Sequence, residues 1–366
     1  ATWTNITPTA QGTATASATC TDIEYTSTGK LVGTFGYATG GTTVVRIYTT
    51  SNPSTVTQAT GWTVGTGIRQ SGLAVGRYEM TALGDIVYAV AVNAAATADS
   101  CYKSVDGGAT WVKQNTTIMP AGILSGQGWY NATLAVNPEN SNELMCGGLD
   151  AYRSTNGGAT WTRTTFWVTT IPYVHADHHY IHWWKRGNQS QMVIGCDGGI
   201  FYSTDGGTTW VDKNRNLGLK QFYGADIHPA AGSPYLMAGA QDNGTHQLKN
   251  PGLSYSIEVT GGDGMHVWVN QQDPNIQMGS YVYNQYRRSI NGGQTWTSNN
   301  ISGTIGMFVN PYAIDDAQNI LYACHNANTL LRWPNINTAT ASNTVTIAAL
   351  NGAQIGSLKV SPYTAN

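Results

Sequence analysis

Two imidazoles flank a carboxylate in the run VHADHHY, which begins at residue 174. On an extended strand, alternation places His175, Asp177 and His179 on one side and His178, Tyr180 and His182 on the other. Imidazole and carboxylate groups bind divalent metals and relay protons. We therefore treat His175, Asp177 and His179 as a candidate metal or acid–base site. The alternative is structural: the aspartate closes a loop through backbone N–H groups, and the histidines bridge neighbouring sheets.

Further polar side chains stand where short apolar segments end or begin, and they are candidates for a binding site. They are Asp150, Asp197, Gln241, Asp242, Asp263, His266 and His325. Carboxylates that converge can act as general acid and base, and the first choices for this role are Asp177, Asp197 and Asp242. An Asp beside Gly, as in GCDGG and AQDNG, is also ordinary turn chemistry. Both interpretations stay open on the sequence.

An octapeptide repeated four times indicates which elements position these residues. It reads SVDGGATW, STNGGATW, STDGGTTW and SINGGQTW. Its shared Ser, Asp or Asn, and Trp positions are Ser104, Asp106, Trp111, Ser154, Asn156, Trp161, Ser203, Asp205, Trp210, Ser289, Asn291 and Trp296. The copies are about 50 residues apart except for a last interval of nearly two periods. A degenerate copy is therefore expected near residue 246, with an Asn-Pro-Gly turn in place of the octapeptide.

The composition of the octapeptide predicts a hairpin turn. Asp or Asn accepts backbone N–H groups two residues ahead, Ser reinforces the turn, and the first Gly supplies a positive φ. The Trp packs between neighbouring sheets. Asn in place of Asp keeps the turn and loses only the charge, so the copies with Asn156 and Asn291 remain competent. The octapeptide is therefore expected to be structural.

Two apolar strands precede each octapeptide, as in TLAVNPENSNELMCGG, and the residues after its Trp form a fourth strand. Four short strands every 43–50 residues predict an all-β β-propeller of four-stranded blades. Seven repeats are visible between about residues 21 and 352. The first residues resemble a fourth strand and the last ones a first strand, which suggests an incomplete eighth blade. We expect residues 1–366 to form one domain of a chain that continues after residue 366.

The octapeptide resembles the Asp-box of bacterial neuraminidase (BNR) repeats. Across residues 129–296 the wording resembles the sortilin-type, xyloglucanase-like propellers of exported bacterial proteins. The resemblance implies a β-propeller that is secreted or displayed at the cell surface, often beside further domains of the same chain. It implies no single activity, since such propellers include glycoside hydrolases and protein receptors. The arginine cluster of sialidases is missing, and one propeller supplies half of a xyloglucanase cleft.

Composition excludes some partners. Charged residues make up 10% of the chain and the net charge is −2, so we expect no nucleic-acid partner. No apolar run approaches the roughly 18 residues that cross a bilayer, so we expect no membrane insertion. The five cysteines cannot all be paired. Cys146, Cys196 and Cys324 read as small hydrophobes in strands, whereas Cys20 and Cys101 lie in loop-like segments and could form one disulfide.

Aromatic residues concentrate around the same segments and suggest either core packing or a binding surface. They are Trp129, Tyr130, Trp167, Tyr173, Trp183 and Trp184. Most of them are expected to fill space between sheets, although exposed rings also stack on sugars and anchor interfaces. The leading hypothesis is a non-catalytic binding or structural module for a glycan or a surface protein, without a cofactor. The alternatives are a polysaccharide hydrolase that uses carboxylates at the channel mouth, and a divalent metal site at His175, Asp177 and His179.

Overall fold

The structure is a computed structural model that describes residues 20–35, 46–52, 55–60, 75–93, 95–168, 171–252 and 255–361. The chain divides into two compact units, Ala1–Gly218 and Leu219–Asn366. The described residues are almost entirely strands and turns, with two single-turn 3-10 helices at Ala121–Ile123 and Ala348–Leu350. None of the described helices is long and apolar enough to cross a membrane.

The described part of the first unit holds four antiparallel four-stranded sheets, here called blades 1 to 4. Their strands are β1 (Cys20–Tyr25), β2 (Leu31–Phe35), β3 (Arg46–Asn52) and β4 (Thr55–Gln58); β5 (Val75–Leu83), β6 (Ile86–Asn93), β7 (Ala98–Ser104) and β8 (Val112–Lys113); β9 (Thr133–Asn137), β10 (Asn140–Gly147), β11 (Tyr152–Ser154) and β12 (Thr162–Arg163); and β13 (His178–Arg186), β14 (Gln189–Cys196), β15 (Gly199–Ser203) and β16 (Val211–Asp212).

The described part of the second unit holds three sheets of the same kind, blades 5 to 7. Their strands are β17 (Gly224–Ile227), β18 (Leu236–Ala240), β19 (Gly244–Leu248) and β20 (Ile257–Thr260); β21 (Val267–Val269), β22 (Gln277–Ser280), β23 (Gln285–Ser289) and β24 (Thr297–Asn300); and β25 (Tyr312–Asp315), β26 (Ile320–Cys324), β27 (Thr329–Trp333) and β28 (Asn343–Thr346). Every sheet is a meander of consecutive strands. The predicted all-β propeller of seven four-stranded blades is therefore confirmed.

Blades 1 to 3 pack on one another through strand β6 of blade 2, which is apolar and buried on both faces. In β6, Val87 and Ala89 pack with Val32 of blade 1, while the alternate residues Val90 and Val92 pack with blade 3. Strand alternation sends successive side chains to opposite faces, so one apolar strand supplies two interfaces. Burying each Val contributes about 1.5–3 kcal/mol. Within this unit, the packing of blade on blade fixes the loops that join the strands.

The octapeptide forms the predicted turn between the third and fourth strands. The Asp106 Oδ1 atom accepts the backbone N–H groups of Ala109 at 3.0 Å and Thr110 at 2.9 Å, three and four residues ahead instead of the expected two. The Ser104 hydroxyl donates to the same carboxylate at 2.7 Å, and the Trp111 indole donates to the carbonyl of Gly108 at 2.8 Å. The carboxylate is thus saturated by its own turn.

The octapeptides also bind the preceding blade within each unit. The Thr49 hydroxyl donates to the carbonyl of Gly107 at 2.9 Å, and the Arg153 guanidinium donates to that of Gly206 at 3.3 Å. The expected degenerate copy is the turn between β19 and β20. These contacts extend the predicted role of the octapeptide from closing one hairpin to joining two blades.

The terminal and cysteine predictions fare differently. Residues 1–4 lie outside the described residues, while residues 351–361 form no strand, so the expected first strand there is wrong. Cys20 and Cys101 are both free, so the predicted disulfide is wrong. They lie in strands β1 and β7 and not in loops, and Cys101 is completely buried. The predicted strand positions of Cys146, Cys196 and Cys324 are confirmed.

Candidate functional site

A phenol and an imidazole hold the carboxylate of Asp197 at one end of blades 3 and 4. The Tyr130 hydroxyl donates to Oδ2 at 2.7 Å, and Nε2 of His179 donates to Oδ1 at 2.6 Å. The Tyr130 and His179 rings meet edge to face, with centroids 4.8 Å apart. The exposed ring of Trp129 lies 5.5 Å from that of Tyr130. We call these four residues the Asp197 cluster.

A two-residue hairpin turn places Asp197 between β14 and β15. Cys196 pairs with Gly199 across this turn. Gly198 is required because a Cβ at this position would lie 2.2 Å from the ring of His175. The hairpin and the segment before β13 therefore come together, as expected for the loops at that end of a blade.

Asp177 adjoins the cluster and has a left-handed backbone conformation. Its φ is +63°, and only 6% of the residue is exposed. The Asn131 amide donates to the carboxylate of Asp177. The backbone carbonyl of Asp177 accepts the N–H of Asp197 at 3.3 Å. Burial raises the pKa of Asp177, the charge of Asp197 adds to this, and the hydrogen bond from Asn131 opposes it. A buried carboxylate with a raised pKa is thus next to a second carboxylate.

The predicted alternation across this segment is wrong. Strand β13 begins at His178, and the register shifts between His178 and Tyr180. His178 is buried whereas Tyr180 is 58% exposed, so these two side chains do not share a side. The positive φ of Asp177 interrupts the extended backbone on which alternation depends.

His178 is a buried neutral imidazole. Its Nε2–H donates to the carbonyl of His175 at 3.0 Å, and Nδ1 has no hydrogen-bond partner in the described part of the chain. Burial lowers the pKa of His178 to about 3. The pKa of His179 is raised, first by the hydrogen bond to Asp197. The two adjacent histidines therefore have opposite charge preferences.

The predicted metal ligands do not converge as a set. The imidazole of His179 is hydrogen-bonded to Asp197, and Nδ1 of His175 bonds the carbonyl of Ala176 at 3.1 Å. Among the described residues, the ligand atoms of His175, Asp177 and His179 do not lie within 4.8 Å of one another.

Asp150 belongs to a separate arrangement in blade 3. Its carboxylate forms an ion pair with Arg163 at 2.6 Å and accepts the N–H of Trp167 at 3.0 Å. Burial raises the pKa of Asp150, and the Arg163 charge opposes this shift. The residue therefore fixes the loop after β12.

The candidates in the second unit form their own local contacts. The Tyr223 hydroxyl donates to Gln241 at 3.2 Å, and the N–H of Asp242 donates to the carboxylate of Asp263 at 3.2 Å. His266 is half-buried, and burial lowers its pKa. His325 bonds Thr329 in the turn after β26, at 3.2 Å. The structure brings Asp242 and Asp263 together and leaves His325 apart from them.

Several aromatic residues are exposed, against the expectation that most fill the core. Trp129 is 59% exposed, Trp167 44% and Tyr173 42%, whereas Trp183 is 5% exposed. The exposed rings lie in the loops before β9 and β13, where strand alternation does not determine which side chains are buried. Tyr130 and Asn131 were missed as polar partners of the aspartates, although they stand directly before a first strand, as His175 and Asp177 do.

Comparison with known proteins finds one family match. The BNR/Asp-box repeat model matches residues 201–212, which include the octapeptide with Asp205. No curated protein matches.

Solved structures resemble the chain weakly. A GH74 enzyme from Niastella koreensis is 18% identical, covering 89% of this chain and 53% of its own, with a TM-score of 0.36. YCF48 from Cyanidioschyzon merolae is 13% identical, covering 84% and 92%, with a TM-score of 0.33. Sqt1 from Saccharomyces cerevisiae is 10% identical, covering 90% and 86%, with a TM-score of 0.37. The chain spans about half the length of the GH74 structures.

The octapeptide repeat and the strand pairing of the chain itself show the type of repeat and the fold. Four octapeptides form the same turn, one of them matches the repeat model, and each blade is a four-stranded meander. The chain is a propeller of four-stranded blades that carries BNR/Asp-box repeats.

Proposed function

We propose that this chain is an exported or surface-displayed binding module that holds a carbohydrate at the Asp197 cluster. The observation that carries the proposal is an exposed indole, Trp129, beside a hydrogen-bonded phenol, carboxylate and imidazole. Aromatic faces stack on the C–H faces of sugar rings, and polar groups beside them bind hydroxyls and fix orientation. The low content of charged residues supports export and a neutral ligand.

The contacts of the carboxylates favour binding over catalysis. Both oxygens of Asp197 already accept hydrogen bonds, from Tyr130 and His179. Asp150 is neutralised by Arg163. These carboxylates are held in place by partners on other segments, which suits the recognition of a fixed ligand shape.

Polysaccharide hydrolysis is the second candidate. Asp177 has a raised pKa and lies next to Asp197, and a glycosidase needs one protonated and one ionised carboxylic acid. The burial of Asp177 opposes this candidate, because a general acid must reach the glycosidic oxygen.

Binding to an array of polysaccharides and oligosaccharides, followed by calorimetry on the best ligand, tests the proposal. Trp129→Ala is expected to weaken binding about tenfold, since stacking contributes about 0.5–1.5 kcal/mol beyond the area buried. Tyr255→Ala, which removes a 78% exposed ring in the second unit, is the matched control and should bind normally.

Two results would contradict the proposal. One is unchanged affinity in Trp129→Ala, and the other is no binding to any glycan. Release of reducing sugar by the native chain that is abolished in Asp177→Asn would favour hydrolysis instead.

A further inference from the structure

A serine and a histidine in blade 5 form a pair that the binding site does not use. Oγ of Ser256 lies 3.1 Å from Nδ1 of His246. Ser256 precedes β20 and His246 lies in β19, so the two neighbouring strands of one blade fix this contact. His246 is 3% exposed, whereas Ser256 is half-buried and open to solvent.

A backbone carbonyl fixes the tautomer of His246. Nε2 of the ring lies 2.5 Å from the carbonyl oxygen of Asn243. Nε2 also lies 3.1 Å from the ammonium nitrogen of Lys220, which only donates. A carbonyl oxygen only accepts, and the shorter contact of 2.5 Å would set two lone pairs against each other unless Nε2 carried the hydrogen. Nε2 is therefore protonated, the ammonium directs its hydrogens elsewhere, and Nδ1 presents a lone pair. The Ser256 hydroxyl therefore donates to Nδ1. Nucleophile, base and a third group that orients the base are the parts of an activated serine.

We propose that Ser256 is a nucleophile, activated by His246, that accepts the acyl group of a carboxylic ester. The Ser256 oxygen forms a bond to the carbonyl carbon while its proton passes to Nδ1 of His246. The bond between this carbon and the alcohol oxygen breaks, and the leaving alcohol takes the proton. Water, deprotonated by His246, then attacks the acyl-serine, and the proton returns to Ser256 as the acid leaves.

The surroundings keep His246 uncharged and supply apolar surface for the acyl chain. Burial lowers the pKa of His246, and the Lys220 ammonium, 3.1 Å from Nε2, adds to this, while the Glu258 charge opposes it. Phe222 lies 6.3 Å from the ring of His246, and Tyr255 beside Ser256 is exposed. A neutral imidazole is the form that accepts the serine proton.

Labelling of the full chain with a fluorophosphonate tests the proposal. This reagent forms an O–P bond with an activated serine and releases fluoride, and peptide mass spectrometry locates the adduct. We expect the adduct at Ser256, none there in Ser256→Ala, and a rate about 100-fold lower in His246→Gln. Ser298→Ala, at an exposed serine of β24, is the matched control and should leave the label unchanged.

Two outcomes would overturn the proposal. One is an unlabelled Ser256 in folded native protein, and the other is equal labelling of the native chain and of His246→Gln. If His246→Gln fails to fold, the pH profile of the native chain decides: the rate should rise with an apparent pKa below 6.5, and a rate independent of pH from 4 to 8 would contradict the role of His246. Hydrolysis of p-nitrophenyl acetate with the same dependence on Ser256 would establish turnover.

Discussion

The same tripeptide, Asp-Gly-Gly, occurs at both ends of blades in the first unit and does different work at each. In the octapeptides, Asp106 and Asp205 accept hydrogen bonds from residues of their own turn. Asp197 instead accepts hydrogen bonds from Tyr130 and His179, which come from other segments. An aspartate is therefore structural when residues of its own turn saturate its carboxylate. It is a candidate for binding when distant side chains hold it.

The neighbouring residues decide which of the two arrangements forms. In the octapeptide, Ser104 stands two residues before Asp106 and Thr110 four after it, and both hydroxyls donate to the carboxylate. Gly195 and Phe201 occupy the equivalent positions around Asp197 and have no hydroxyl. The carboxylate of Asp197 is therefore left for partners outside its hairpin.

The largest expected effect is the loss of stability when the buried tryptophan of an octapeptide is replaced, compared with the exposed tryptophan of the Asp197 cluster. Trp111 is 2% exposed, and Trp111→Ala should lower the free energy of unfolding by about 3–5 kcal/mol, because the cavity cannot collapse fully. Trp129→Ala should stay within about 0.5 kcal/mol of the native chain. Urea unfolding followed by circular dichroism measures both losses of stability, and equal losses would show that the two tryptophans do not differ in structural role.

As the pH falls, the stability contribution of His178, beside the Asp197 cluster, should be lost before that of Asp106 in the octapeptide. The folded pKa of His178 is about 3, below its unfolded value, so the unfolded chain binds more protons between pH 6.5 and 3 and stability falls as pH falls there. The loss is up to about 1.4 kcal/mol per pH unit. Burial raises the pKa of Asp106, but hydrogen bonds from Thr110 and Ser104 outweigh this and lower it to about 2. The contribution of Asp106 to stability is therefore lost only as the pH falls from about 4 to 2.

Urea titrations at several pH values measure these two phases. His178→Gln should flatten the profile between pH 6.5 and 4, while His182→Gln, at an exposed position of the same strand, should not. An identical slope in native protein and His178→Gln would remove the buried histidine from the explanation.

Removing the octapeptide carboxylate should have an intermediate effect. Asp106→Ala leaves the N–H groups of Ala109 and Thr110 without their acceptor and should cost about 2 kcal/mol. Asp106→Asn should cost less than about 1 kcal/mol, since Asn156 keeps the bond to the backbone of Thr160 at 2.9 Å. Thermal and urea unfolding check both, and a loss in Asp106→Asn as large as in Asp106→Ala would show that charge, not geometry, holds the turn.

The smallest expected effect is the reverse exchange. Asn156→Asp should change stability by less than about 0.5 kcal/mol, because the Thr160 hydroxyl, which now accepts from the amide at 2.8 Å, can rotate and donate to a carboxylate as Thr110 does. A larger change measured by urea unfolding would mean that the two forms of the octapeptide are not equivalent.

The blades could be predicted from the sequence because each repeat carries its own turn chemistry and strand alternation. The Asp197 cluster could not, since it depends on contacts between residues as far apart as Tyr130 and Asp197. Alternation failed at Asp177, where a positive φ and a register shift separate His178 from Tyr180. The polar loop residues lie at or beside strand ends, as the turn signals indicate, whereas their hydrogen-bond partners depend on tertiary packing.

Calorimetric titration of the best glycan ligand into two matched aspartate variants measures whether the carboxylates at the two ends of the blades differ in function. Asp197→Asn should weaken binding at least about tenfold, because an amide cannot accept the hydrogen bonds of Tyr130 and His179 on both sides. Asp205→Asn, the same exchange in the octapeptide, should bind as the native chain does. Native affinity in Asp197→Asn, or equal losses in the two variants, would contradict the distinction between the two ends of the blades.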